Sequence, residues 1–239
     1  SVTGVQTCAL PISNSALTFG PTAFGTATDC YQPAERRFGL MRRMLTEMSK
    51  SLEGLKILVT TKSDLVARDA ALLGALARRN DVRISFTITT LDDALARKLE
   101  PYAPRPALRL QALRRLADRG VAVGVGMSPL LPRITDSEAA IGAVAGAAKA
   151  AGARTFWAQP LFLKSCARQV FLPWLEREYP ALYGKYHSWY SREAYLDKRY
   201  VEFVAARVAR ARETNGLGER VGDYRPADWE GSAQLQLFA

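Results

Sequence analysis

The chain has few of the residues that advertise a metal or redox site. Its 239 residues include three cysteines and one histidine. Cys8, Cys30 and Cys166 are widely scattered, giving neither a disulfide framework nor the paired spacing of a zinc site. His187 has no metal-ligand companion nearby and reads as a structural or solvated side chain. No apolar run approaches the roughly 20 residues needed to span a bilayer. The start also lacks the basic and apolar segments of a secretion signal, so a cytoplasmic protein is the expectation. There is no internal repeat. No Gly-x-Gly-x-x-Gly follows the first strand signal, which weakens a dinucleotide-binding reading.

What is present suffices for a substantial core. Hydrophobic residues make up 48% of the chain, most simply arranged as one domain with a helical tail. Lys and Arg outnumber Asp and Glu by 33 to 23, a net charge of +10 that could attract nucleic acid or an acidic substrate. The arginines lie in 36–43, 78–83, 105–119 and 207–212, mostly on amphipathic helices, where a solvated face accounts for most of them.

Strand and helix signals alternate from about residue 16 to 180. Strands are expected within 22–28 and over 55–61, 81–90, 121–127 and 155–163, the last interrupted by Pro160. Helices are expected over 33–52, 65–79, 91–99, 107–119, 137–151 and 166–178, with a kink at Pro173. Ser63 and Asp64 both suit the cap of the second helix, and Asp136 the cap of the fifth. In 81–90, Val82, Ile84, Phe86 and Ile88 share one face and Ser85, Thr87 and Thr89 the other. That polar face fits a barrel interior near a ligand, and equally fits the strand propensity of threonine alone. Five βα steps with right-handed crossovers predict a parallel sheet curled into part of a barrel, with a flat doubly wound sheet as the alternative. A helical stretch follows over 182–212, and 216–239 reads as irregular.

The organising stretch is 25–35, GTATDCYQPAE. Gly25 permits close backbone approach where a strand ends, Thr26, Thr28 and Asp29 gather polar groups there, and Pro33 and Glu35 suit a helix start. By spacing alone this is also an ordinary βα turn. The whole string resembles the second-strand signature Gly-Thr-x-Thr-Asp-Pro-Tyr-Gln-Pro-x-Glu of radical S-adenosylmethionine proteins of the spore photoproduct lyase-like group. Cys30 stands where that pattern has proline, and Ala27 where asparagine is usual. Further likenesses recur at expected strand ends: 61–63 with 65–69, then 85–91 (SFTITTL). Glu100-Pro101, Ala103-Pro104 and Arg109-Leu110 follow, then Pro129, Pro132 and Asp136, and the terminal 234–238 (QLQLF).

The resemblance implies an α/β fold, a partial (β/α)6 TIM-like barrel, here missing its first βα unit and extended by a C-terminal helical tail. It implies S-adenosylmethionine and a 4Fe–4S cluster as cofactors, with reductive cleavage to a 5′-deoxyadenosyl radical. A flavodoxin or ferredoxin would be the electron donor, in a lyase-like enzyme of the DNA-repair kind. By motif position, Lys62 and Ser85 are the strongest cofactor-binding candidates. Lys62 would pair with the cofactor carboxylate, Ser85 and Thr87 with its ribose, and Thr28 or Asp29 with its ammonium. Ser63, Glu35 and Arg109 complete the set, although a helix-surface salt bridge accounts equally well for the last two.

No Cys-x-x-x-Cys-x-x-Cys occurs, so the cluster ligands of such proteins are not supplied by this sequence. Residues 2–12 (VTGVQTCALPI) read as a translated sequencing adapter within an artefactual or disordered leader, 1–15. Residues 16–180 then read as barrel strands two to six, and 181–239 as the extension. The expectation is an N-terminally truncated fragment that is inactive by itself. Two other functions stay open: a cluster-independent barrel enzyme using Lys62 as Schiff-base or general-base lysine, and a basic nucleic-acid-binding module.

Overall fold

Five strands lie side by side in chain order, every neighbouring pair parallel. They are β1 (Thr22–Phe24), β2 (Lys56–Thr61), β3 (Asp81–Thr87), β4 (Ala122–Leu130) and β5 (Thr155–Pro160). The structure is a computed structural model that describes residues 22–51 and 53–219. The expected leader 1–15, Cys8 and the 234–238 motif lie outside the described residues. Strand order and direction follow the expectation, and the architecture is the α/β, partial-barrel type the sequence pattern pointed to. Parallel neighbours require crossovers, so all five strands direct their C-terminal ends to one rim.

Strand alternation divides the sheet into two unlike faces. Ile57, Val59, Val82, Ile84, Phe86 and Phe156 are buried against the helical layer. The other face carries Lys56, Leu58, Thr60, Ser85 and Trp157, all only partly buried or exposed. In register along it are Thr60 beside Ser85, Ser85 beside Gly124, and Gly126 beside Trp157. The helical layer comprises α1 (Glu35–Phe38), α2 (Leu40–Ser51), α3 (Ala70–Ala77), α4 (Asp93–Leu99), α5 (Pro106–Ala117) and α6 (Glu138–Ala150). Beyond the sheet come α7 (Ser165–Glu178), α8 (Pro180–Trp189) and α9 (Lys198–Asn215).

Several boundaries differ from the sequence pattern for local reasons. The helix expected over 33–52 is two helices, because Gly39 adopts φ 58° and turns the chain between α1 and α2. The helix expected over 65–79 begins as a 3-10 turn, Asp64–Asp69, whose cap is Ser63: its hydroxyl accepts the Leu65 N–H at 3.2 Å. Asp136 does not cap α6. Ser137 does, accepting the Ala140 N–H at 3.1 Å, while the Asp136 carboxylate receives the Tyr200 hydroxyl and so holds α9. The third strand stops at Thr87 rather than continuing to residue 90, and β4 runs on to Leu130.

The described part of the extension, up to residue 219, is integrated with the sheet. Helix α9 packs on α6 and β5, burying Val204 and Val208. Gly218, in a stretch expected to be irregular, pairs with the outer side of β5: the Phe156 N–H donates to the Gly218 carbonyl at 2.9 Å. A second, smaller apolar cluster joins Leu131, Leu161, Leu163, Leu175, Tyr186 and Tyr190 across α7 and α8. Among the described residues, no helix is long and apolar enough to cross a membrane.

Candidate functional site

The rim at the strands' C-terminal ends starts with a close backbone contact. Gly25 follows β1 with φ 82°, and a Cβ there would lie 2.0 Å from the Thr60 carbonyl oxygen. Only glycine fits, which brings the 25–35 loop directly onto the end of β2. Asp29 then ties the two together. Its carboxylate accepts the Thr61 hydroxyl at 2.7 and 2.9 Å, the Lys62 N–H at 2.8 Å and the Tyr31 N–H at 2.9 Å. Asp29 therefore spends most of its lone pairs within the chain. Thr28 beside it is exposed.

Lys62, the residue after β2, meets Glu100, the residue that ends α4. The Lys62 Nζ to Glu100 Oε1 distance is 2.7 Å, and the Lys62 side chain is still 43% exposed. The other Glu100 oxygen receives Arg109 Nη2 at 2.6 Å. Arg109 is 2% exposed and is anchored on both sides: Nε donates to the Pro104 carbonyl at 2.8 Å and Nη1 to the Thr87 carbonyl at 2.7 Å. The fork of one guanidinium thus connects the end of β3, the 100–105 loop and Glu100. Burial pushes the Glu100 carboxyl up, but the Arg109 and Lys62 cations outweigh it and hold the carboxyl below the usual glutamate range.

Ser85 lies one strand over, on the open face. Its hydroxyl is 3.4 Å from the Trp157 indole nitrogen. Gly126 makes room for that indole, since a Cβ there would sit 2.6 Å from two ring carbons. The glycines of β4 thin this face, and what approaches them closely is Trp157 and Thr155, the latter 2.1 Å from a Cβ built at Gly124.

The structure therefore brings Asp29, Lys62 and Arg109 onto one rim, with Ser85 and Thr87 on β3 below it. Ser63 caps the 3-10 turn. Glu35 stands apart, in the helix layer: its carboxylate accepts the Met41 and Arg42 N–H groups at the start of α2 and Arg68 Nη2 at 2.8 Å. Although burial raises it, these hydrogen bonds hold the Glu35 carboxyl below its usual range. None of these partners is shared with Lys62, Glu100 or Arg109. Of the two ion-pair readings, Glu35 thus braces helices and Arg109 organises the rim.

Glu100 and Thr61 lie inside the matched motifs but were given no role by sequence, and Trp157 was not singled out. Nothing in the spacing of residues 62, 100 and 109 announces one shared ion pair. Among the described residues, no group of three or more His, Cys, Asp or Glu is placed to hold a metal ion. Cys30 is half-buried in the first loop and Cys166 is exposed on α7. The described residues therefore do not fit a 4Fe–4S cluster, which needs several converging thiolates. They do offer both charge signs and hydroxyls at one rim, the donor set that a zwitterionic nucleoside such as S-adenosylmethionine requires.

No protein-family model matches the chain. The chain is 33% identical over 213 residues to an uncharacterized protein of Mycobacterium tuberculosis, covering 89% of this chain and 61% of that protein. It is 28% identical over 179 residues to an uncharacterized protein of Methanocaldococcus jannaschii, covering 75% and 64%. The chain thus spans about three fifths of the length of the curated relatives it matches. Among solved structures it is similar to spore photoproduct lyase. One mutant superposes with a TM-score of 0.57 at 15% identity, covering 81% of this chain and 58% of that one. A second, with bound AdoMet and dinucleoside spore photoproduct, gives 0.55 at 14% identity over 81% and 58%. At this identity the likeness is one of fold.

Proposed function

We propose that this chain is the S-adenosylmethionine-binding part of a radical S-adenosylmethionine enzyme of the spore photoproduct lyase-like kind. The observation that supports it most is the half-exposed Lys62 ammonium. It is held by Glu100 at the rim of a parallel sheet whose open face carries Ser85. One of the structures that shares this fold has AdoMet bound.

In this reading Lys62 receives the cofactor carboxylate. Its ammonium has three donors, and Glu100 uses one of them. The Ser85 and Thr87 hydroxyls bond ribose, and Thr28 with the negative charge of Asp29 faces the cofactor ammonium. Arg109 is too buried to touch the cofactor and acts by fixing Glu100 and the end of β3. The bound cofactor would supply the adenosyl group for radical chemistry in the longer protein. The thiolates for a cluster would come from outside the described residues, with a flavodoxin or ferredoxin as electron donor and nucleic acid as a substrate class. By itself this chain is read as inactive.

The Lys62 ion pair weighs against the Schiff-base alternative. A nucleophilic lysine is a neutral amine, whereas Lys62 is engaged as a cation by a carboxylate at 2.7 Å. Ligand-detected NMR with S-adenosylmethionine tests the proposal. The chain should bind it, and Lys62→Ala should weaken binding about tenfold or more, the cost of a charge-assisted hydrogen bond. Ser85→Ala should weaken it less, and Arg78→Ala, in the turn after α3, not at all. Affinity indifferent to both Lys62→Ala and Ser85→Ala would overturn the assignment.

A further inference from the structure

Resting on that reading, we propose that Glu100 determines which anions the rim accepts, admitting a zwitterionic amino-acid group and rejecting nucleotide phosphates. The argument is one of charge balance. The rim gathers two cations, Lys62 and Arg109, and two carboxylates, Asp29 and Glu100. Opposite formal charges cancel, so the rim carries both signs but no surplus of either.

Such a site suits a ligand end that is itself an ion pair. Lys62 is the partly exposed cation, and its spare donors take one carboxylate. A phosphate chain brings two or more negative charges and finds a single accessible ammonium, already paired with Glu100 at 2.7 Å. Repulsion from a carboxylate in contact with that ammonium is strong in a partly desolvated rim. Adenosine phosphates share the adenosine end with S-adenosylmethionine, so discrimination between them must come from the other end.

Glu100 is suited to this role by its position between the cations. It is ionised throughout the neutral range, because Arg109 and Lys62 both favour its carboxylate. Replacing it with an isosteric amide would leave Arg109 uncompensated and give the rim a surplus positive charge. The rim would then favour phosphates.

The test uses the full chain and measured dissociation constants for S-adenosylmethionine, AMP, ADP and ATP. In the unaltered chain, S-adenosylmethionine should bind best, and affinity should fall from AMP to ADP to ATP. Glu100→Gln should shift the ratio of ADP to S-adenosylmethionine affinity by about tenfold or more in favour of ADP. Glu100→Asp, which keeps the charge, should stay within about threefold of the original ratio by the same reasoning. An unchanged ratio in Glu100→Gln, or equal shifts in both variants, overturns the inference. Affinity rising from AMP to ATP in the unaltered chain overturns it without any variant. If the unaltered chain does not bind S-adenosylmethionine, the cofactor reading fails and this inference with it. Binding with the wrong ratios sinks the inference alone.

Discussion

The Asp29 carboxylate receives the Thr61 hydroxyl at 2.7 and 2.9 Å, and this pair locks the loop after β1 to the end of β2. The same carboxylate holds the Lys62 N–H, so the backbone that carries the ammonium is fixed from the neighbouring strand. Asp29→Ala should destabilise the chain by about 1–3 kcal/mol, and Thr61→Val by about 1 kcal/mol, because each leaves partners without a hydrogen bond. Urea unfolding measures both. A loss in Thr61→Val equal to that in Asp29→Ala would show that the Lys62 and Tyr31 amides add nothing.

Arg109 should be the most sensitive charged residue of the rim. Arg109→Ala removes one of the two cations on a largely buried carboxylate and frees two carbonyls, an expected cost of about 3–5 kcal/mol. Arg109→Lys should recover only part of it, because one ammonium cannot reach Pro104, Thr87 and Glu100 as a planar fork does. Denaturant midpoints of the two variants give the comparison directly.

Two glycines should respond to alanine in opposite directions. Gly126→Ala drives a methyl into the Trp157 ring, with an expected loss of about 1–3 kcal/mol and a changed tryptophan emission. Gly142, inside α6, has open space where its Cβ would be, so Gly142→Ala should stabilise by about 0.4–1 kcal/mol. Thermal melts of the pair would show a drop for one and a rise for the other.

Acid should destabilise the fold through Glu35 and Glu100. Both carboxyls sit below the usual range in the folded chain, so on unfolding they take up protons at a higher pH than they do when folded. Their stabilisation is complete above the ordinary glutamate value of about 4.3 and is lost as pH falls below it toward the lower folded values. Unfolding free energy should therefore be flat from neutral pH to about 5 and decline below about 4.3. Glu35→Gln should flatten that decline while lowering stability at neutral pH.

Local sequence rules reached the strands and the loop motif but not the ion pairs. The five strands were legible because each is a short apolar run closed by turn residues, and the parallel order follows from crossover handedness. Gly25 was legible too, since the only residue that fits against the Thr60 carbonyl is the one without a Cβ. Gly39 was not recognised as a break, because its flanks continue the apolar spacing of one helix. Asp136 and Ser137 both suit a helix cap, and only Tyr200, 64 residues later, occupies the Asp136 carboxylate and leaves the cap to Ser137. Residues 62, 100 and 109 come from three separate elements, so their meeting depends on packing that no spacing rule encodes.

The contact between Gly218 and β5 adds one parallel bridge along the outer edge of the sheet's last strand. Phe156 donates its amide to Gly218, and Gly218 donates its own to the Arg154 carbonyl at 2.9 Å. Amide protons along that margin are consequently shielded only while α9 stays docked. Deuterium uptake at Phe156 and Gly218 should then rise and fall together, and anything that loosens α9 from α6 would unmask a fresh template for intermolecular strand addition.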